Sequence, residues 1–185
     1  MQNKNILLIA LAVALILLAP FIAMQFTDDV AWSLFDFTFA GALLFGAGLA
    51  FELLTRKAQD LAYRAALGLA IMAAVLLVWI NLAVGIIGSE DNPANMMYIG
   101  VLAILIFGSL TARFRSRGMA RALFATALAQ VAAPVIALMI WKPDITSAEA
   151  LLDLLKVVGV NALFVALWAG SGLLFQHTMQ PKPTS

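Results

Sequence analysis

Uncharged, mostly aliphatic runs separated by short charged or polar breaks organise the chain from end to end. Six stand out: Asn5 to Phe26, Trp32 to Leu54, Ala65 to Gly88, Asn95 to Ala112, Met119 to Trp141 and Leu151 to Phe175. Runs near 20 residues match the length an α-helix needs to cross a hydrocarbon core of about 30 Å. In lipid every backbone N–H and C=O must be satisfied within the segment, so the runs are expected to be helices. The roughly 10-residue alternation of membrane β-strands is missing. The pattern therefore predicts an all-α, polytopic membrane bundle of about six transmembrane helices, forming a single integral membrane domain over 1–185.

The first run carries a positive residue, Lys4, ahead of a long apolar core, as secretory signals do. It is longer than a usual signal core and has no clean A-x-A site, so it is expected to remain as a span. Pro20 and Pro134 interrupt their runs, and each removes a backbone hydrogen bond. Pro134 follows Gln130 by one turn, which puts both irregularities of the fifth span on one face.

Small residues recur every fourth position: Ala42, Gly46 and Ala50; Ala66, Ala70 and Ala74; Ala125, Ala129, Ala133 and Ala137; Ala162, Ala166 and Gly170. Lipid-embedded helices approach through such residues, so these are the expected packing faces.

Charge fixes an expected orientation, because short loops rich in Lys and Arg stay cytoplasmic. With the N-terminus inside, the inner side holds Lys4, Arg56, Lys57, Arg64, Arg113, Arg115, Arg117, Arg121 and Lys182, nine basic residues, against the acids Glu52 and Asp60. The outer side holds Lys142 and Lys156 against eight acids: Asp28, Asp29, Asp36, Glu90, Asp91, Asp144, Glu149 and Asp153. An even number of spans then places both termini in the cytoplasm. Composition agrees: 64% of residues are hydrophobic and 11% charged, against about 45–50% and about 25% for soluble domains. The expected location is the inner (plasma) membrane of a bacterium, with the lipid bilayer as the first partner and no nucleic acid among the rest.

Chemistry narrows to a few polar residues. There is no cysteine and one histidine, His177, so thiolate sites, paired-histidine haem and H-E-x-x-H zinc are excluded within one chain. No G-x-S-x-G elbow or P-loop occurs. No catalytic residue, metal or cofactor is expected. Asp36 is the leading ionisable residue within a span, one turn from its outer end, with a site role set against an interfacial carboxylate that pairs with Lys156 or caps a neighbouring helix. Asn81 lies seven residues before Gly88, about 10 Å below the outer surface, and Asn161 lies near the middle of the sixth span. Both amides suit interhelical hydrogen bonds.

Between the third and fourth spans, the stretch NLAVGIIGSEDNPANMMY collects Ser89, Glu90, Asp91, Asn92, Pro93 and Asn95. Gly88 is placed to end the third helix in a left-handed cap, and Asn92 or Asn95 to start the fourth. Glu90 and Asp91 are left over. Two functions follow as expectations. One is a small permease or channel-like protein whose Asp36, Asn81, Glu90, Asp91, Asp153 and Asn161 form an acidic outer vestibule for a cation or polar solute. The other is a non-transporting assembly factor, sensor or accessory subunit that works through helix packing with a membrane-protein partner or a second copy.

Overall fold

The computed structural model describes residues 2–27, 30–56, 58, 60–141 and 147–180. Asp28, Asp29, Lys57, Lys142, Asp144, Lys182 and the end of the tail QPKPTS, from 181 on, lie outside the described residues. Among the described residues there are six long helices and no strand: α1 (Gln2–Ala23), α2 (Leu34–Thr55), α3 (Leu61–Ala83), α4 (Met97–Thr111), α5 (Ser116–Trp141) and α6 (Ala148–His177). A 3-10 turn at Pro93–Met96 leads into α4, and with it all six elements are long and apolar enough to cross a membrane. Met1–Lys57 and Ala58–Ser185 form two compact units.

The first unit is an antiparallel hairpin whose contacts step together. Asn5 Nδ2 donates to Glu52 Oε1 at 2.7 Å. A Cβ on Gly48 would stand 2.7 Å from Ile9 Cγ2, and one on Gly41 would stand 3.4 Å from Leu17 Cδ1. The rings of Phe21 and Phe37 meet edge-on with centroids 6.4 Å apart. The expected face on α2, Ala42–Gly46–Ala50, is thus displaced: a Cβ on Gly46 would meet nothing within 4 Å. The physical reason is rotation. At about 100° per residue, a spacing of four drifts about 40° per step, whereas a spacing of seven drifts only about 20°. Gly41, Gly48 and the buried Thr55 keep the seven-residue spacing.

In the second unit α5 packs against α4 and α6, and α6 also packs against α3. The inward side of α6 carries Asn161, Trp168 and Phe175 at the same seven-residue spacing, with Phe164 and Ser171 beside them. The expected seam on α6 falls elsewhere, since Ala162 and Ala166 are exposed and Gly170 is half-buried beside Leu69. On α5 the four-residue series turns from an exposed Ala125 to buried Ala133 and Ala137. The α3 seam does pack, with Ala66 and Ala70 buried and Ala74 half-buried.

Side-chain bonds fasten the end that holds the α4–α5 turn. Ser171 Oγ donates to the Ala66 carbonyl at 2.7 Å, and Thr178 Oγ1 to Ser116 Oγ at 2.8 Å. In the turn, Arg113 and Phe114 both take left-handed backbone, with φ of 49° and 56°. Side chains other than glycine rarely adopt that conformation. It is held because the Tyr63 hydroxyl donates to the Phe114 carbonyl at 2.9 Å and Phe114 N–H donates to Ser109 O at 3.2 Å.

Candidate functional site

α4, α5 and α6 each bring a polar side chain into the interior of the second unit. Tyr98, Gln130 and Trp168 are fully buried and Asn161 is 4% exposed. Gln130 Nε2 donates to Asn161 Oδ1 at 2.9 Å, and the Tyr98 hydroxyl donates to the same oxygen at 3.0 Å. Trp168 Nε1 donates to Gln130 Oε1 at 3.3 Å, and Asn161 Nδ2 to the Val157 carbonyl at 2.8 Å.

The direction of every bond follows from Trp168. An indole N–H is a donor only, so Gln130 turns its oxygen toward Trp168 and its NH2 toward Asn161. Asn161 must answer with its oxygen, whose two lone pairs are then filled by Gln130 and Tyr98. Every polar side-chain atom of the four residues therefore has a partner, and three helices are tied at one oxygen. Burying such atoms without partners would cost several kcal/mol each in an apolar medium, on the order of 4–8 kcal/mol on cyclohexane scales.

The loop after α3 is built around Asn95. Its Oδ1 accepts from Ile86 N–H at 3.0 Å and Ile87 N–H at 2.9 Å, while its Nδ2 donates to Ser89 O at 2.7 Å. Asn95 is thus a buried staple, and Asn92 is the cap, its Oδ1 accepting from Ala94 N–H at 2.9 Å. The expected end of the third helix is corrected. α3 stops at Ala83, and Gly85, with φ +75°, takes the left-handed position directly after the cap Val84. Gly88, with φ +69°, serves a later turn of the loop. Both glycines are required, since a Cβ at Gly85 would stand 2.5 Å from the Ser89 carbonyl oxygen and one at Gly88 would stand 2.9 Å from Asn92 Nδ2.

The six expected site residues belong to two units, Asp36 to the first and Asn81, Glu90, Asp91, Asp153 and Asn161 to the second. In the first unit, Asp36 closes a capping box on its own helix. Its Oδ2 accepts from the Ser33 N–H and Oγ, both at 2.7 Å, while Asp36 N–H donates to Ser33 Oγ at 3.3 Å. In the second unit, Asn161 belongs to the interior network. Asn81 sits in the last turn of α3 rather than two turns deep, because the helix ends two residues later. Its Nδ2 donates to the Asn95 carbonyl at 3.3 Å, and its Oδ1 is, among the described residues, the buried side-chain atom left without a partner. Glu90 and Asp91 stand exposed at the loop tip. Asp153 pairs with Lys156 at 2.8 Å on the exposed side of α6.

Comparison with protein-family models, curated proteins and solved structures returns no match. Chemistry is therefore read from the geometry alone. Among the described residues no three His, Cys, Asp or Glu side chains group closely enough to hold a metal ion.

Tyr98 and Trp168 were not singled out by sequence, although both carry a polar atom within an apolar run. Such atoms need a partner wherever the residue is buried. Gln130 was visible as a polar interruption next to Pro134, and its partner amide on the next helix was the available signal.

Proposed function

We propose that the protein is a non-transporting, multi-pass component of a bacterial inner membrane, an assembly, sensor or accessory subunit that works through helix packing. Both termini are read as cytoplasmic, with the α3–α4 loop outside, on the strength of the arginine-rich α4–α5 turn. The closed Tyr98–Gln130–Asn161–Trp168 network carries this reading. A conduction path for a cation or polar solute needs polar groups left available to it, and these amides are bonded to one another. Geometry favouring a permease is limited, among the described residues, to Asp153 in the lining of a mostly apolar cavity and the unpartnered Asn81 Oδ1.

The purified chain in liposomes tests the proposal. Na⁺, K⁺ and H⁺ flux is expected to match protein-free liposomes and to be unchanged by Asp36→Asn; protein-dependent flux abolished by Asp36→Asn or Asn161→Leu would refute it. Orientation has its own test, made clean by the absence of native cysteine. A membrane-impermeant thiol reagent should label Ser89→Cys in intact cells and Arg115→Cys only after lysis, and the reverse pattern would invert the topology.

A further inference from the structure

A cavity of about 270 Å³ lies among the α3–α4 loop, the last turns of α5 and the first turns of α6. Ala94, Pro134 and Val157 are part of its wall. Each stands one helical turn from a member of the interior network: Ala94 before Tyr98, Pro134 after Gln130 and Val157 before Asn161. The Val157 carbonyl itself accepts from Asn161, and the wall includes none of the four network residues. The wall is almost wholly aliphatic.

Asp153 lines the cavity with its side chain 65% exposed, and Asn92 and Ala150 line it too. Glu149 immediately precedes Ala150, and Glu90 and Asp91 immediately precede Asn92 in the loop. Among the described residues Asp153 is the acid that lines the cavity, Glu149 acts on Lys156 from the same helix, and the Lys156 ammonium is held on Asp153. Among the described residues an anionic head would meet two acids, Asp153 and Glu149, against one base, Lys156. A neutral molecule would gain from burial alone.

We propose that this cavity binds a hydrophobic amine, with a short alkyl chain or single ring system in the aliphatic chamber and the ammonium exchanging with Lys156 on Asp153. The volume lies just below the roughly 300–1,000 Å³ of drug-sized sites, which limits the ligand to a small one. The inference rests on the cavity and its rim, not on the absence of transport, so flux in liposomes would leave it standing.

The test uses the full chain in phosphatidylcholine nanodiscs, titrated calorimetrically with octylammonium, octanol and octanoate, with empty nanodiscs subtracting partition into lipid. Octylammonium is expected to bind saturably and about two- to fivefold more tightly than octanol, the range of an exposed charge contact, with octanoate weakest. Asp153→Asn should erase the preference for the amine, and Lys156→Gln, which removes the competing internal ammonium, should increase it. Ala150→Phe should weaken all three ligands about tenfold by narrowing the cavity. No saturable binding, octanoate equal to the amine, or a preference untouched by Asp153→Asn would each overturn the proposal. If Ala150→Phe does not fold, the charge series on the unaltered chain decides alone.

Discussion

The α1–α2 hairpin buries Ala40 and Thr55 and, among the described residues, nothing from α1, whereas the α3–α6 unit buries Trp168, Tyr98, Phe164, Phe175 and Gln130 completely. Both are made of helices too apolar for water. In a hydrocarbon solvent, however, an aliphatic side chain gains little by leaving lipid for another helix. The hairpin relies on glycine-mediated approach at Gly41 and Gly48 and on the polar bond from Asn5 to Glu52. The four-helix unit adds hydrogen bonds that have no substitute in lipid. Cohesion inside this chain therefore follows polar pairing and fit more than hydrophobicity.

The largest effect is expected from Gln130→Leu, which leaves the Trp168 N–H without its acceptor and removes one of two donors from Asn161. About 1–3 kcal/mol of stability should be lost, read from unfolding in mixed detergent micelles. A change indistinguishable from zero would remove the distinction between the two units.

Gly48→Val should come next, at about 1–2 kcal/mol confined to the hairpin, because the new side chain meets Ile9. Gly46→Val, facing open space, is its control and should stay within about 0.5 kcal/mol. Amide exchange along α1 should rise in the first variant only. Equal responses would mean that the seven-residue register is wrong.

Smallest of all is the joint change Glu90→Gln and Asp91→Asn. Both acids are exposed at the loop tip, and stability should move by less than about 0.5 kcal/mol. A loss above about 1 kcal/mol would show that they hold the loop, a part the structure gives to Asn95.

Six helices were legible because long uncharged runs bounded by charge admit no other backbone solution in lipid. The rotation of each helix was not. Ala162, Ala166 and Gly170 look like a seam when read every four residues, but the need to bury Asn161, Ser171 and the Trp168 N–H turns another side of α6 inward. The α3 end was misplaced because Gly85 and Gly88 are equivalent as letters, and only the Asn95 side chain, bonded to Ile86 and Ile87, distinguishes their turns. Asp36 read as a site candidate because a carboxylate near a span end is costly; its partner, Ser33, stands three residues earlier in the capping-box spacing.

Tyr98, Gln130, Asn161 and Trp168 are bound to one another as one structural element of the four-helix unit. A double-mutant cycle of Gln130→Leu and Asn161→Leu, measured as unfolding free energy in mixed micelles, addresses it directly. Coupling of about 0.6–1.7 kcal/mol is expected, with the double variant less destabilised than the two single losses combined. Strict additivity would contradict the account, because it would mean that the two amides act independently.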